Sequence, residues 1–260
     1  MKKILFIFIT SLALISCKKT EIKKSEDLYA IETPIDSSGN LDIHITNMVN
    51  STPLSLGTTT YTTANNDTFQ VSTLKYYISN IELKTIDGTV YKQKESYYLA
   101  DQSIASSLEF IVPKVPKANY SSISFLIGVD SVRNFSGAQV GALDPIHGMA
   151  WSWSTGYIMA NLEGTSPQST DPLKKISYHI GGFSGLYTGV KKVILLFPTN
   201  AIVTKTHTPT LNLKADIALW FSGYYLFDMA VNPTIFDVGK ESSRMASNYQ
   251  NMFQVTSVIN

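Results

Sequence analysis

The chain has 260 residues, of which 44% are hydrophobic and 16% are charged, and its 21 lysines and arginines nearly balance 20 aspartates and glutamates. This balance excludes the strongly basic surface of a nucleic-acid-binding protein, and a single cysteine excludes a fold held by internal disulfides. Low charge together with 14 tyrosines and 12 phenylalanines is typical of one large all-β domain.

The N-terminal segment has the order of residues found in a bacterial lipoprotein signal peptide. Lys2 and Lys3 precede an apolar run over 4–15, and the run leads into the lipobox LISC at 14–17. We expect a signal peptidase to remove residues 1–16 and a lipid to attach to the Cys17 thiol. The apolar run is shorter than the roughly 20 residues that a membrane-spanning helix needs. The sequence therefore predicts a protein that is lipid-anchored to a bacterial membrane and faces the periplasm or the cell surface.

Lysine and glutamate are frequent in the segment 17–38, which also contains Pro34. This composition favours a flexible, solvated tether, so the predicted folded domain spans 39–260. Removal of Lys2 and Lys3 leaves 19 of the 21 basic residues against 20 acidic ones, so the formal net charge falls from +1 to −1. We therefore expect no nucleic-acid partner.

Alternating apolar residues predict β-strands from Leu41 onward. Leu41, Ile43 and Ile45 alternate with polar residues, and His44 lies on the polar face of this strand. Further strand-like segments follow at 69–83, 90–91, 97–100, 108–112, 122–129, 175–180, 191–197 and 211–221, with glycine and proline between them. The predicted fold is an all-β, antiparallel β-sandwich-like single domain with long loops.

A short amphipathic helix is predicted near the C-terminus. Met245, Tyr249, Met252 and Phe253 recur at helical spacing, and Ser242 or Ser243 could cap the helix.

A long loop at 130–148 is rich in aspartate, asparagine and glycine. Asp130, Asn134 and Asp144 could bind calcium, but the loop lacks the dense oxygen ligands of an EF-hand. We expect these three side chains to bond backbone amides and to fix the loop.

The segment that follows this loop carries two tryptophans two residues apart. In an extended strand Met149, Trp151 and Trp153 would share one face, with small residues on the other. A thioether and two indoles suit a dry pocket for a soft cation or a flat ligand. The alternative is that the tryptophans simply fill a β core.

Candidate metal ligands come from the scattered histidines. His179 lies two residues before Gly181, and the missing side chains of Gly181 and Gly182 leave room for a ligand or another backbone. His147 lies just before Met149, so its ring could reach the tryptophan strand. Motifs of the types HExxH, CxxC and GxSxG and a phosphate-binding glycine loop are missing from the sequence, which removes the common zinc, redox, esterase and nucleotide classes.

A series of motifs resembles, in the same order, the MbnP-like family of copper-binding lipoproteins and periplasmic proteins. These motifs are YISNIEL at 77–83, GVDS at 128–131, GALDP at 141–145, GMAWSW at 148–153, GY at 156–157, LEG at 162–164, YHIGG at 178–182 and NYQNMF at 248–253. The resemblance extends from about Leu41 to the C-terminus.

The resemblance implies a β-rich domain that binds copper. In some relatives copper is bound by histidines and by a tryptophan that a dihaem partner enzyme oxidises to kynurenine. By position, His179 matches the histidine of the family, and Trp151 and Trp153 match its paired tryptophans. The match at His44 is less specific. His147 departs from the family, which usually has asparagine before this Gly-Met pair, so its role is inferred from its location alone.

The leading hypothesis is an extracytoplasmic copper carrier or scavenger rather than an enzyme. His179 and His44 would bind copper(I), and Met149 or an indole would complete the site, because copper(I) prefers imidazole and thioether ligands. Two or three strong ligands suit a protein that takes up, stores or delivers its metal and must release it.

Two other functions compete with this hypothesis. In a carbohydrate- or peptide-binding module, Trp151, Trp153 and Tyr157 would form an open stacking platform. In a structural surface protein, the tryptophans would belong to the core and no two histidines would approach each other.

Overall fold

The computed structural model describes residues 37–137, 139–151 and 156–260. The lipobox with Cys17, the tether up to residue 36 and Trp153 lie outside the described residues. Within those described ranges, no helix is both long enough and apolar enough to cross a membrane.

Strands dominate the described part of the chain, which also contains two α-helices. The strands are β1 Ser38–Val49, β2 Thr52–Pro53, β3 Tyr61–Thr62, β4 Thr68–Thr85, β5 Val90–Lys92, β6 Tyr97–Asp101, β7 Glu109–Pro116, β8 Ala118–Ile127, β9 Ala160–Thr165, β10 Lys175–Ile180, β11 Lys191–Val203, β12 Thr210–Asp216, β13 Thr234–Ile235 and β14 Phe253–Ile259. The helices are α1 Ser131–Phe135 and α2 Lys240–Tyr249, and 3-10 turns occur at Ala105–Leu108, Gly141–Leu143, Pro145–His147 and Ile217–Trp220.

The strands form two sheets that pack face to face. The smaller sheet has the order β14-β12-β1-β2, with β7 also paired to β1, and the larger sheet has the order β11-β8-β4-β9-β10-β13, with β3, β5 and β6 paired to β4. Most pairs are antiparallel, but β1 with β12 and β10 with β13 are parallel. The prediction of an all-β, sandwich-like domain is confirmed, with these parallel pairs as a departure from a purely antiparallel fold.

Alternation along the strands builds the main core between the sheets. Leu41, Ile43 and Ile45 of β1 are buried, and Tyr76 of β4 is buried opposite them. The Tyr76 hydroxyl donates a 2.8 Å hydrogen bond to Oδ1 of Asn47, which ties the two sheets together. Burial raises the pKa of Tyr76, so this hydroxyl keeps its proton. Each buried aliphatic side chain contributes roughly 1.5–3 kcal/mol to stability.

Strand β4 organises the larger sheet and determines where the long loop leaves it. Strand β6 pairs with residues 75–79 of β4, β8 pairs with 78–85 and β9 pairs with 70–76. A strand residue has only two neighbours in a sheet, so β8 and β9 lie end to end along the edge of β4 opposite β6. The chain between them, 128–159, therefore leaves the sheet at its middle.

This excursion folds back over the outer face of the larger sheet and builds a second, smaller core. We call this cluster the satellite core; its buried members are Tyr77, Val129, Leu143, Met149, Tyr157, Ile158 and Met159. Tyr77 alternates with the main-core residue Tyr76 along β4, so it faces the opposite side of the sheet. Trp151 packs against the satellite core, which holds it over the sheet.

The predicted C-terminal helix is confirmed as α2, with two differences. Gly239 is its N-cap residue, and Ser242 is buried within the first turn, so neither predicted serine caps the helix. The helix ends at Tyr249, and Phe253 begins strand β14, which pairs with β12. The helical assignment of Met252 and Phe253 was therefore wrong.

Candidate metal site on the outer face of the larger sheet

His179 projects from the outer face of β10. Its neighbours Tyr178 and Ile180 are buried in the main core, so the alternation of the strand turns the imidazole away from that core. In the strand register His179 lies opposite Asn161 of β9, and Asn161 lies opposite Lys75 of β4. The three side chains therefore form a polar row across the sheet.

Three neighbouring side chains lie close to the His179 ring. Its Nε2 donates a 2.7 Å hydrogen bond to Oε1 of Glu163. The ring of Phe236 lies 4.4 Å away in an edge-on arrangement, and the ring of Trp151 lies 6.2 Å away, measured between ring centroids. The side chain of His179 keeps 18% of its surface exposed. The ring is thus held in place yet remains accessible to a small ligand.

Glu163 is placed to orient this imidazole. It lies two residues beyond Asn161 on the same face of β9, and its Oε2 accepts a 3.4 Å hydrogen bond from the hydroxyl of Thr73 on β4. A carboxylate that accepts from Nε2 of a neutral imidazole leaves the lone pair on Nδ1. A metal ion would therefore meet Nδ1, with Glu163 as the supporting carboxylate common beside metal-binding histidines.

Trp151 packs directly on Gly181. A Cβ atom on Gly181 would lie 2.9 Å from Cζ2 of the indole, so only glycine fits this position beside the ring. The sequence suggested that a ligand or another backbone would use the space beside Gly181, but in the structure the indole side chain of Trp151 fills it. The backbone N–H of Trp151 donates a 3.1 Å hydrogen bond to the carbonyl of Gly156, which keeps the indole close to His179.

The long loop is fixed by the side chains that the sequence indicated. The carboxylate of Asp130 accepts from the amides of Val132 and Arg133 at the start of α1, and that of Asp144 accepts from the amide of Ile146. The expectation that these residues bond backbone amides is confirmed.

Asn134 joins the two ends of the excursion. Its Nδ2 donates to the carbonyls of Val129 and Asp130 at 2.7 and 2.8 Å, and its Oδ1 accepts a 2.8 Å hydrogen bond from the amide of Tyr157. Both the start of the loop and the segment after the tryptophans thus depend on one buried side chain.

Two buried polar atoms under the loop lack a hydrogen-bond partner among the described residues: Oη of Tyr77 and Oδ1 of Asn161. Burial raises the pKa of Tyr77, and the neighbouring Tyr157 raises it further, so the Tyr77 hydroxyl stays neutral. Asn161 lies beside His179, whereas Tyr77 belongs to the satellite core.

The structure does not bring His44 and His179 together. His44 lies between Asn212 of β12 and Glu109 of β7 and alternates with the core residue Ile43, so it faces outward from the smaller sheet. His179 faces outward from the larger sheet, and the main core lies between the two imidazoles. A copper site shared by these two histidines is not formed, because the strand pattern fixes opposite outer faces for them.

The other predicted site residues lie around the loop. His147 ends a 3-10 turn and its Nε2 donates a 3.0 Å hydrogen bond to the carbonyl of Gly141, so the ring contacts its own loop. Met149 is fully buried as a member of the satellite core, and Trp151 packs against that cluster. Trp153 lies outside the described residues.

Within residues 37–137, 139–151 and 156–260, no group of three or more histidine, cysteine, aspartate or glutamate side chains converges to hold a metal ion.

The sequence did not indicate Glu163 and Asn161, two residues of β9 that lie beside His179. Their alternation with the buried Leu162 was a signal that both face the same side of one strand.

Tyr157 does not form part of an open aromatic platform. Only 5% of its surface is exposed, its hydroxyl donates to the carbonyl of Leu143, and its ring packs edge-on against Tyr77. This burial contradicts its predicted stacking role in a carbohydrate- or peptide-binding module.

The separation of His44 from His179 agrees with the hypothesis of a structural surface protein. That hypothesis does not account for the position of Trp151 beside His179.

Removing the carboxylate of Glu163 should release the orientation of His179. In metal-free protein carrying Glu163→Ala we expect ¹⁵N–¹H spectra to change from one Nε2-protonated tautomer of His179 to a mixture. Glu163→Gln keeps an acceptor oxygen and should restore much of the single tautomer. An unchanged tautomer in Glu163→Ala would show that Glu163 does not position the ring.

Comparison with known proteins places the chain in a family. The family model MbnP matches residues 38–238. The fold is also similar to the solved structure of MbnP from Methylosinus trichosporium, with 12% sequence identity, 71% of this chain and 77% of that chain covered, and a TM-score of 0.47. No curated protein sequence matches this chain. Because the family model covers well over half of its residues, the chain belongs to the MbnP family.

Proposed function

We propose that this chain is an extracytoplasmic copper-binding lipoprotein that takes up, stores or delivers copper, and that His179 is its principal ligand. Membership in the MbnP family supports a copper-related role. The lipid anchor at Cys17 and the tether that follows belong to the proposal and place the domain outside the cytoplasm, in the periplasm or at the cell surface.

The contact between His179 and Trp151 is the observation on which this function depends. It joins β10 to a segment almost 30 residues earlier in the sequence, with 6.2 Å between ring centroids and 44° between ring planes. Imidazole nitrogen is a favourable copper ligand, and the face of an indole attracts a cation in a dry site. The thioether of Met149 lies in the cluster that Trp151 packs against, so a soft ligand is present in the same region.

The donor set favours a carrier over an enzyme. His179 supplies one strong ligand, and its accessible ring allows the ion to enter and leave. The resemblance to the family adds a second element to the proposal, oxidation of a tryptophan by a dihaem partner enzyme. Trp151 is the indole that the structure places beside His179.

Copper titration of variant proteins tests the proposal. The chain is purified with Cys17→Ser, so that no lipid attaches, and then titrated with copper(I) and copper(II). We expect about one strongly bound copper ion per chain and a loss of about 100-fold or more in affinity for His179→Ala, because a direct ligand is lost. His44→Ala is the matched control on the opposite outer face and should bind as the parent does. Equal binding by His179→Ala and its parent would remove His179 from the site.

A further inference from the structure

Asn161 is the immediate neighbour of His179 on the outer face of the larger sheet. The two residues face each other directly in the antiparallel register of β9 and β10. Side chains at such directly opposed positions project on the same side of the sheet, with Cβ atoms roughly 4.5–5.5 Å apart. The amide of Asn161 and the imidazole of His179 can therefore reach one small ligand together.

The amide oxygen of Asn161 is buried without a hydrogen-bond partner among the described residues, and the residue is 5% exposed. Other buried asparagines show the usual arrangement. Oδ1 of Asn47 accepts from Tyr76, that of Asn134 from Tyr157, and that of Asn248 from Tyr225. Buried amide oxygens nearly always have a partner, because an unmade hydrogen bond destabilises the folded state. The unpaired oxygen of Asn161 is therefore an exception that needs a cause.

The polar groups on either side of Asn161 already bond elsewhere. Nζ of Lys75 forms a 3.0 Å ion pair with Asp101 and donates to the carbonyl of His147 at 3.2 Å. Nε2 of His179 donates to Glu163. Both neighbours are thus directed to other acceptors, so neither supplies the missing partner of the amide oxygen.

We propose that the Asn161 oxygen is a copper ligand next to His179 and that it lets the site hold copper(II) as well as copper(I). This inference rests on the proposed function and names the oxidation state that the site accepts. Imidazole nitrogen and amide oxygen together suit copper(II), whereas copper(I) prefers sulfur and imidazole and gains little from an amide oxygen. The polar row thus supplies a hard ligand beside the sulfur-containing satellite core.

Replacing Asn161 with leucine separates the two oxidation states. Leucine has a similar size but no oxygen, so we expect Asn161→Leu to bind copper(II) at least about 10-fold more weakly, with copper(I) affinity changed less than about 3-fold. The measurements are competition titrations against a chelator selective for each oxidation state, on the chain with Cys17→Ser. The electron paramagnetic resonance spectrum of bound copper(II) should also change its hyperfine splitting.

Thermal unfolding of the metal-free protein supplies a second readout that does not depend on copper. Asn161→Leu removes an unpaired buried oxygen, so the melting temperature should stay unchanged or rise by about 2–4 °C. Asn248→Leu is the matched control. Its side chain is fully buried and bonds to Trp220 and Tyr225, so the same substitution there should lower the melting temperature.

The outcomes distinguish this inference from the proposed function. Selective loss of copper(II) with an unchanged or raised melting temperature supports Asn161 as a ligand. Equal copper(II) binding by Asn161→Leu and its parent overturns the ligand role while leaving the proposed function intact. A melting temperature that falls as far as in Asn248→Leu overturns it as well, because it assigns Asn161 a structural bond. If the parent protein binds neither copper(I) nor copper(II), both the ligand role of Asn161 and the proposed function are overturned.

Discussion

Replacing Gly181 with leucine is expected to expel Trp151 from its position and to weaken the proposed copper binding. Even the first side-chain atom at this position would lie 2.9 Å from Cζ2 and 3.0 Å from Nε1 of the indole, and a leucine would fill the space that the ring now occupies. Overpacking of this kind costs about 1–3 kcal/mol in stability. Because Trp151 lies beside His179, its displacement also opens the site to water. Tryptophan fluorescence should shift to longer wavelength, and copper affinity should fall at least about 10-fold.

A double-mutant cycle controls this prediction. In a Trp151→Ala background the clash is absent, so Gly181→Leu should cost much less stability than it does with Trp151 present. Equal stability losses in both backgrounds would show that Gly181 is constrained by something other than the indole. Unchanged fluorescence and copper affinity in Gly181→Leu would show that the indole contact does not shape the site.

Asn134→Ala is expected to release the whole excursion 128–159 from the larger sheet. The substitution removes two hydrogen bonds that Asn134 donates and leaves the amide of Tyr157 without its acceptor. With about 0.5–1.5 kcal/mol for each bond and about 1–3 kcal/mol for each buried group left unpaired, we expect a loss of about 3–5 kcal/mol in the free energy of unfolding. The melting temperature should fall by about 10 °C.

Hydrogen exchange locates the effect of this substitution. The amide of Tyr157 should exchange much faster in Asn134→Ala, whereas main-core amides of β1 should keep most of their protection if the satellite core opens on its own. Asn251→Ala serves as the control, because this exposed side chain makes one hydrogen bond, to the carbonyl of Ser247 in the preceding helix, and its loss should change stability by less than about 0.5 kcal/mol. A loss below about 1 kcal/mol in Asn134→Ala would show that the loop is held by other contacts.

The strands could be predicted from the sequence because alternation reports burial directly. Leu41, Ile43 and Ile45 alternate with polar residues, and the structure buries all three in the main core. Strand β14 was missed because Met252 and Phe253 continue the helical spacing of Met245 and Tyr249, although the helix ends at Tyr249. Local periodicity could not show that the chain reverses there to pair with β12.

The candidate site was predicted only in part, for a physical reason. Alternation shows which face of a strand a residue occupies, but it does not show which sheet the strand joins. His44 and His179 both lie on polar faces, yet these faces belong to different sheets. Glu163 and Asn161 became visible as neighbours of His179 only through the register of β9 and β10. The space beside Gly181 was predicted, whereas the indole that fills it was not.

The position of copper tests the central claim most directly. Crystals of the chain with Cys17→Ser, loaded with copper, are measured on either side of the copper absorption edge to obtain an anomalous difference map. We expect one strong peak beside the His179 ring, on the outer face of the larger sheet and within ligand distance of Asn161. A copper peak at His44 with none at His179, or fully loaded protein with no peak near His179, would contradict the assignment of this face as the copper site.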